Sequence, residues 1–134
     1  MGYTHYYKGQ VNIDEALISD VKAIIKKSKI AICDGMGEGK PELVPGKLIR
    51  FNGDMSKGED YETFEVKAEY NRGFCKTGRY PYDAVVTATL IRIAHLNDEF
   101  EVESDGHWDS DWADGRELYE RTFGEDAVKP DSMP

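Results

Sequence analysis

Cysteine is nearly absent: Cys33 and Cys75 stand far apart and form no Cys-x-x-Cys pair. Their placement argues against both a disulfide framework and a zinc site, so free buried thiols are expected. Long apolar runs are missing too, with none approaching the roughly 20 residues that span a bilayer. The start of the chain carries no basic-then-apolar leader pattern, and a cytoplasmic protein with no membrane association is the expectation. Positive charge is scarce where acid is dense. Between Asp98 and Asp126 there are twelve carboxylates against only Arg116 and Arg121, in a chain of net charge −9. Such a surface repels phosphate backbones, so direct DNA binding is not expected, while a basic protein partner suits it.

The chain does contain enough apolar sequence for one proper core. Its 134 residues, 40% hydrophobic and 32% charged, fit one globular domain. The most apolar stretch runs from Tyr82 through Val85, Val86, Leu90, Ile91 and Ile93 to Leu96, with apolar residues on nearly every side of a helix. A helix over 82–96 of that kind belongs in the middle of the core.

Around it, Gly2 to Lys8 reads as a strand with Tyr3, His5 and Tyr7 on one face. Asn12 and Glu15 have the spacing of a capping box before an amphipathic helix that carries Leu17, Val21, Ile24 and Ile25 and runs to about Lys27. Ile30–Cys33 looks like a buried strand leading into the glycine-bearing loop 34–41, which lacks the ending of a P-loop and reads as plain mobile chain. Segments 48–53 and 63–68 fit a hairpin with a long connection, and 99–103 alternates between apolar residues and carboxylates. Trp108, Trp112, Tyr119 and Phe123 give a final helix its stripe, starting near Asp109 or Ser110 and stopped by Gly124. The expected fold is therefore α+β, a single domain over 1–124. An antiparallel or mixed sheet of about five strands is covered by three helices, and 125–134 forms a flexible tail.

Three stretches are shared with a known group: Gly2-Tyr3-Thr4-His5-Tyr6, the run Phe74-Cys75-Lys76-Thr77-x-Arg79-x-Pro81-Tyr82-Asp83, and Ser104-Asp105-Gly106 followed by Trp108. Through them the chain resembles small proteins encoded by tailed bacteriophages and prophages. The resemblance implies a phage origin and a role in the host cytoplasm, and it supplies neither activity nor cofactor.

The chemistry with most support lies where the apolar helix begins. Lys76 and Arg79 bring two cations, Thr77 a hydroxyl and Tyr82 a ring, at a helix start where free N–H groups favour an anion. Asp83 caps that helix or accepts a ligand hydroxyl, and His5 and Asn52 are placed opposite. The expected function is capture of a small anionic ligand, such as a nucleotide signal. The alternative is an acidic module in which Glu99, Glu101, Glu103 and Asp105 engage a basic, nucleic-acid-binding host protein. Asp105, His107, Asp109 and Asp111 have the spacing of neither an EF-hand nor a zincin, and no Gly-x-Ser-x-Gly elbow occurs, so neither metal nor other cofactor is expected. Cys75 beside Lys76 has the setting of an activated thiol, and a small buried hydrophobe is the plainer reading.

Overall fold

A computed structural model describes residues 2–134. Its elements are β1 (Thr4–Gly9), α1 (Glu15–Ser28), β2 (Glu42–Val44), β3 (Leu48–Phe51), β4 (Phe64–Lys67), β5 (Asn71–Lys76), α2 (Asp83–Leu96), β6 (Glu101–Ser104) and α3 (Ala113–Phe123). The fold is α+β, as the alternating and helical periodicities require. The strands form two antiparallel three-stranded sheets, ordered β5-β1-β6 and β2-β3-β4, where one sheet of about five was expected.

Two strands escaped the sequence reading. β5 occupies what looked like the approach to a helix, yet Cys75 points in while Phe74 and Lys76 point out, which is strand periodicity. β2 is only three residues of an edge. Conversely, 30–33 is no strand, because only Cys33 pairs, in a single bridge to Asn52.

α2 is the hub. Every residue from Val85 to Ile91 is buried, as is Ile93, and the helix packs on α1, α3 and β6. At about 1.5–3 kcal/mol each, burial of Val85, Leu90, Ile91 and Ile93 makes it a principal stabiliser. α1 presents Leu17, Ile18, Val21 and Ile24 to it. The α1 cap is Asp14, whose carboxylate accepts the Leu17 N–H at 2.9 Å, and not Asn12, whose amide donates to Asp14. α3 begins later than expected because 107–112 is wound into turns, with the Trp112 N–H donating to the His107 carbonyl. One residue ties the three helices together: Arg92 of α2 bonds Asp20 at 2.9 Å, the Tyr119 hydroxyl at 3.0 Å and Glu125 at 3.1 Å.

Between β4 and β5 the two sheets part, and the Tyr7 ring fills the gap. Its hydroxyl donates to the Glu65 carbonyl at 2.7 Å, and its ring lies against Gly73, where a Cβ would stand 2.5 Å from the tyrosine Cε2. Only glycine lets that ring pass.

The tail was expected to fray, and it is instead laid along β6. The Ser132 hydroxyl accepts the Val102 N–H and donates to the Val102 carbonyl, both at 2.7 Å, and Pro130 and Met133 are buried. That capping also blunts the free edge of β6. Loop 34–39, expected to be mobile, is held by its own bonds. Asp34 accepts the Met36 and Glu38 N–H groups, and the Met55 N–H donates to the Gly37 carbonyl. No helix among the described residues is long and apolar enough to cross a membrane.

Candidate anion pocket at the start of the central helix

The chain from β5 to α2 makes a tight turn over Thr77-Gly78-Arg79-Tyr80, closed by the Tyr80 N–H donating to the Thr77 carbonyl at 3.1 Å. Both central residues have positive φ, 61° at Gly78 and 59° at Arg79. Such a turn prefers glycine, asparagine or aspartate, so Arg79 sits where an ordinary side chain costs about 1–2 kcal/mol. Two contacts hold it there. Its guanidinium pairs with Asp111 at 2.5 Å and lies over the Tyr3 ring at 4.0 Å. Hydrogen bonding from Arg79, and then from the His107 N–H, holds the Asp111 carboxyl below its ordinary range.

Behind the turn lies a buried polar chain. The Asp83 carboxylate accepts from His5 Nε2 at 2.7 Å, from the Thr77 hydroxyl at 2.7 Å and from the Tyr3 hydroxyl at 3.3 Å. On the far side of the imidazole, His5 Nδ1 meets the Ser104 hydroxyl at 2.8 Å. Ser104 Oγ already accepts from Trp112 Nε1 at 3.1 Å and from the Gly106 N–H at 2.9 Å. Its own proton therefore points to Nδ1, which puts the imidazole proton on Nε2, facing Asp83. A serine, a histidine and an aspartate in line suggest acyl-transfer chemistry, but here His5 is fully buried and Ser104 Oγ has every lone pair and its proton engaged. The chain is a brace.

These bonds redistribute the expected site residues. Lys76 and Arg79 are brought together at an open pocket of about 460 Å³, with Gly2, Tyr3, Tyr61 and Gly78. Lys76 makes no ion pair among the described residues, while Arg79 is paired but its side chain remains 60% exposed. Thr77 and His5 are buried in the brace with Asp83, and Tyr82 is buried outright. The Tyr82 hydroxyl donates to the Glu62 carbonyl at 2.7 Å, so its ring offers no stacking surface. Asn52 is a loop clamp, accepting from the Gly53 and Tyr61 N–H groups and donating to the carbonyls of Gly35 and Tyr61.

The expected helix-end anion hole is closed as well. The N–H groups of Asp83, Ala84 and Val85 donate to the carbonyls of Tyr80, Pro81 and Tyr82. With those donors used, an anion here meets side chains and not the helix terminus. Cys75 is inert: burial, then the nearby Glu62 charge, pushes its thiol up to about 12.

No family model, curated protein or solved structure matches the chain. The pocket must therefore be read from its own geometry. Of the other pocket residues, Tyr3 was read only as a neighbour of His5 on one strand face, and Gly2, Tyr61 and Gly78 were not expected in the site. Tyr61 lay in a polar connection, and only folding sets its ring 6.1 Å from that of Tyr80. Asp111 was weighed as a metal ligand and proves to be the partner of Arg79. Among the described residues no three His, Cys, Asp or Glu side chains gather as a metal-binding group. The expected partner-binding carboxylates Glu99, Glu101, Glu103 and Asp105 are all exposed, with Asp105 also accepting the Thr4 N–H at 3.0 Å.

Proposed function

We propose that the protein is a phage-encoded binding protein that captures a small anionic ligand carrying an aromatic group, of the nucleotide class, in the pocket between Lys76 and Arg79. The observation that carries this reading is a cationic, tyrosine-walled concavity on a protein of net charge −9. Lys76 gives a point charge with no ion-pair partner among the described residues, and Arg79 gives a planar donor group pre-set by Tyr3 and Asp111. Tyr61, 55% exposed, offers the ring on which a base can stack. The brace holds Tyr3, one wall of the pocket, through Asp83 before any ligand arrives, which limits the ordering cost of binding. The phage resemblance favours a host nucleotide signal as the ligand.

Isothermal titration with a panel of mono-, di- and cyclic nucleotides tests this. Binding by at least one is expected, weakened about tenfold by Lys76→Ala through loss of a charge-assisted contact. No heat from any nucleotide, or equal affinity in the Lys76→Ala protein, defeats the reading.

A second reading draws on the acid at the other end of α2. Asp98, Glu99, Glu101 and Asp131 line an open groove of about 800 Å³ beside the helix C-terminus, where the dipole adds further negative potential. A basic host protein, such as one that binds nucleic acid, suits that groove. Its capture from host lysate at low salt and release at high salt is the expected result, and failure to recover any basic protein at low salt counts against it.

A further inference from the structure

The outer face of the β5-β1-β6 sheet is exposed at Tyr6, Lys8, Arg72 and Phe74, while Thr4 at its end is buried. Its centre is aromatic: Tyr6 on β1 lies opposite Phe74 on β5, and they are 44% and 58% exposed. On the β5 side stands Arg72, and on the β6 side stand Glu101 and Glu103, all exposed. The registers place Arg72, Lys8 and Glu101 at one level and Phe74, Tyr6 and Glu103 at the next. Positive charge on β5 and negative charge on β6 thus flank a central strand that carries Tyr6 and Lys8. Lys8 is paired loosely with Glu101 at 3.7 Å, while Arg72 and Glu103 make no ion pair among the described residues.

We propose that this face docks on the same face of a second copy of the chain, about a twofold axis parallel to β1. The charge pattern selects both the occupant and the axis. A twofold axis along β1 carries each β5 across to the partner's β6, so Arg72 faces the Glu101 and Glu103 strip twice by symmetry. An axis perpendicular to the strands would instead set β5 on β5 and β6 on β6, like charge on like. At the usual sheet separation of about 10 Å each Arg72 meets the partner's Glu101, with the Tyr6 rings packed on each other at the centre, each Phe74 beside the partner's Glu103, and each Lys8 turned from its symmetry mate towards its own Glu101.

Strand dimensions make the face about 20 by 14 Å, or roughly 300 Å² a side, well below the roughly 800 Å² a side of a tight complex. Two copies of net charge −9 also repel at long range. The dimer is accordingly weak and concentration-dependent, with an association midpoint on the order of 100 µM. It does not use the Lys76 and Arg79 pocket, so it stands or falls apart from the ligand reading.

Sedimentation velocity of the full chain from about 10 to 500 µM tests it, a range that brackets the weak association expected of so small a face. The wild-type protein should shift from monomer towards dimer, and Phe74→Ser should abolish the shift. The charge test uses two variants, Arg72→Glu and the double variant Glu101→Arg with Glu103→Arg. Each alone sets like charges together at both symmetric contacts and should remain monomeric. Mixed at equal concentration they restore both contacts and should form a heterodimer. A wild-type protein that stays monomeric throughout, or a mixture that sediments no faster than its components, overturns the proposal.

Discussion

On the outer face of the β2-β3-β4 sheet, Arg50 sits between Glu42 at 2.8 Å and Glu65 at 3.1 Å, one carboxylate from each neighbouring strand. Loop 34–39 then lies over that face, tied by the Thr63 hydroxyl donating to the Gly35 carbonyl at 2.6 Å. On the outer face of β5-β1-β6 Lys8 reaches Glu101 only loosely, at 3.7 Å, Arg72 and Glu103 stand on opposite outer strands with no ion pair among the described residues, and Tyr6 and Phe74 are exposed. Both sheets bury an inner face, with Ile49, Phe51, Phe64 and Val66 in one and His5, Tyr7, Cys75 and Val102 in the other. The difference lies in what is left over. A face whose ion pairs close within the chain has little to offer a partner, whereas one that leaves Arg72 and Glu103 a sheet's width apart keeps those two charges available.

The largest effect should come from the inner side of the open sheet, where the polar brace anchors it to α2. Asp83→Ala removes the acceptor of His5, Thr77 and Tyr3 together and leaves buried donors unpaired. A loss of about 3–5 kcal/mol is expected, read as a fall in Tm of about 10 °C or more. A change of only a degree or two would show that the brace does not hold the sheet.

Next in size is the wedge that keeps the sheets apart. Gly73→Ala drives a methyl group into the Tyr7 ring and should cost about 1–3 kcal/mol in urea unfolding. The double change Gly73→Ala with Tyr7→Ala should then cost less than the two single losses added, because they share one contact.

The smallest pair of effects sets the two outer faces directly against each other. Arg50→Ala breaks two half-exposed ion pairs and should cost no more than about 1 kcal/mol, while Arg72→Ala should leave the monomer's stability within about 0.5 kcal/mol of the parent. Equal losses at the two positions would mean that Arg72 is engaged within the monomer after all, and the contrast between the faces would disappear.

Much of this was open to reading along the chain. The alternation of His5 and Tyr7 with Tyr6 and Lys8 marked β1, and the unbroken apolar run to Leu96 marked α2 as the core helix. Lys76 and Arg79 were singled out by their spacing beside it. The reading misplaced Tyr82 and Asn52 because each combines a polar group with neighbours that suit either a pocket or the interior. Burial was decided by distant carbonyls, those of Glu62 for Tyr82 and of Gly35 and Tyr61 for Asn52. Asp111 could not be matched to Arg79 across 32 residues from local pattern alone.

Residue order by itself determined the class of fold, the position of the apolar helix and the excess of acid, because periodicity and composition are local properties of the chain. Tertiary structure alone decided that the strands divide into two sheets, that the helix start is filled by the protein's own carbonyls, and that His5, Asp83 and Ser104 form a brace. Those outcomes depend on contacts between residues up to 99 positions apart, where packing and the satisfaction of buried polar groups choose among partners that no local pattern can rank.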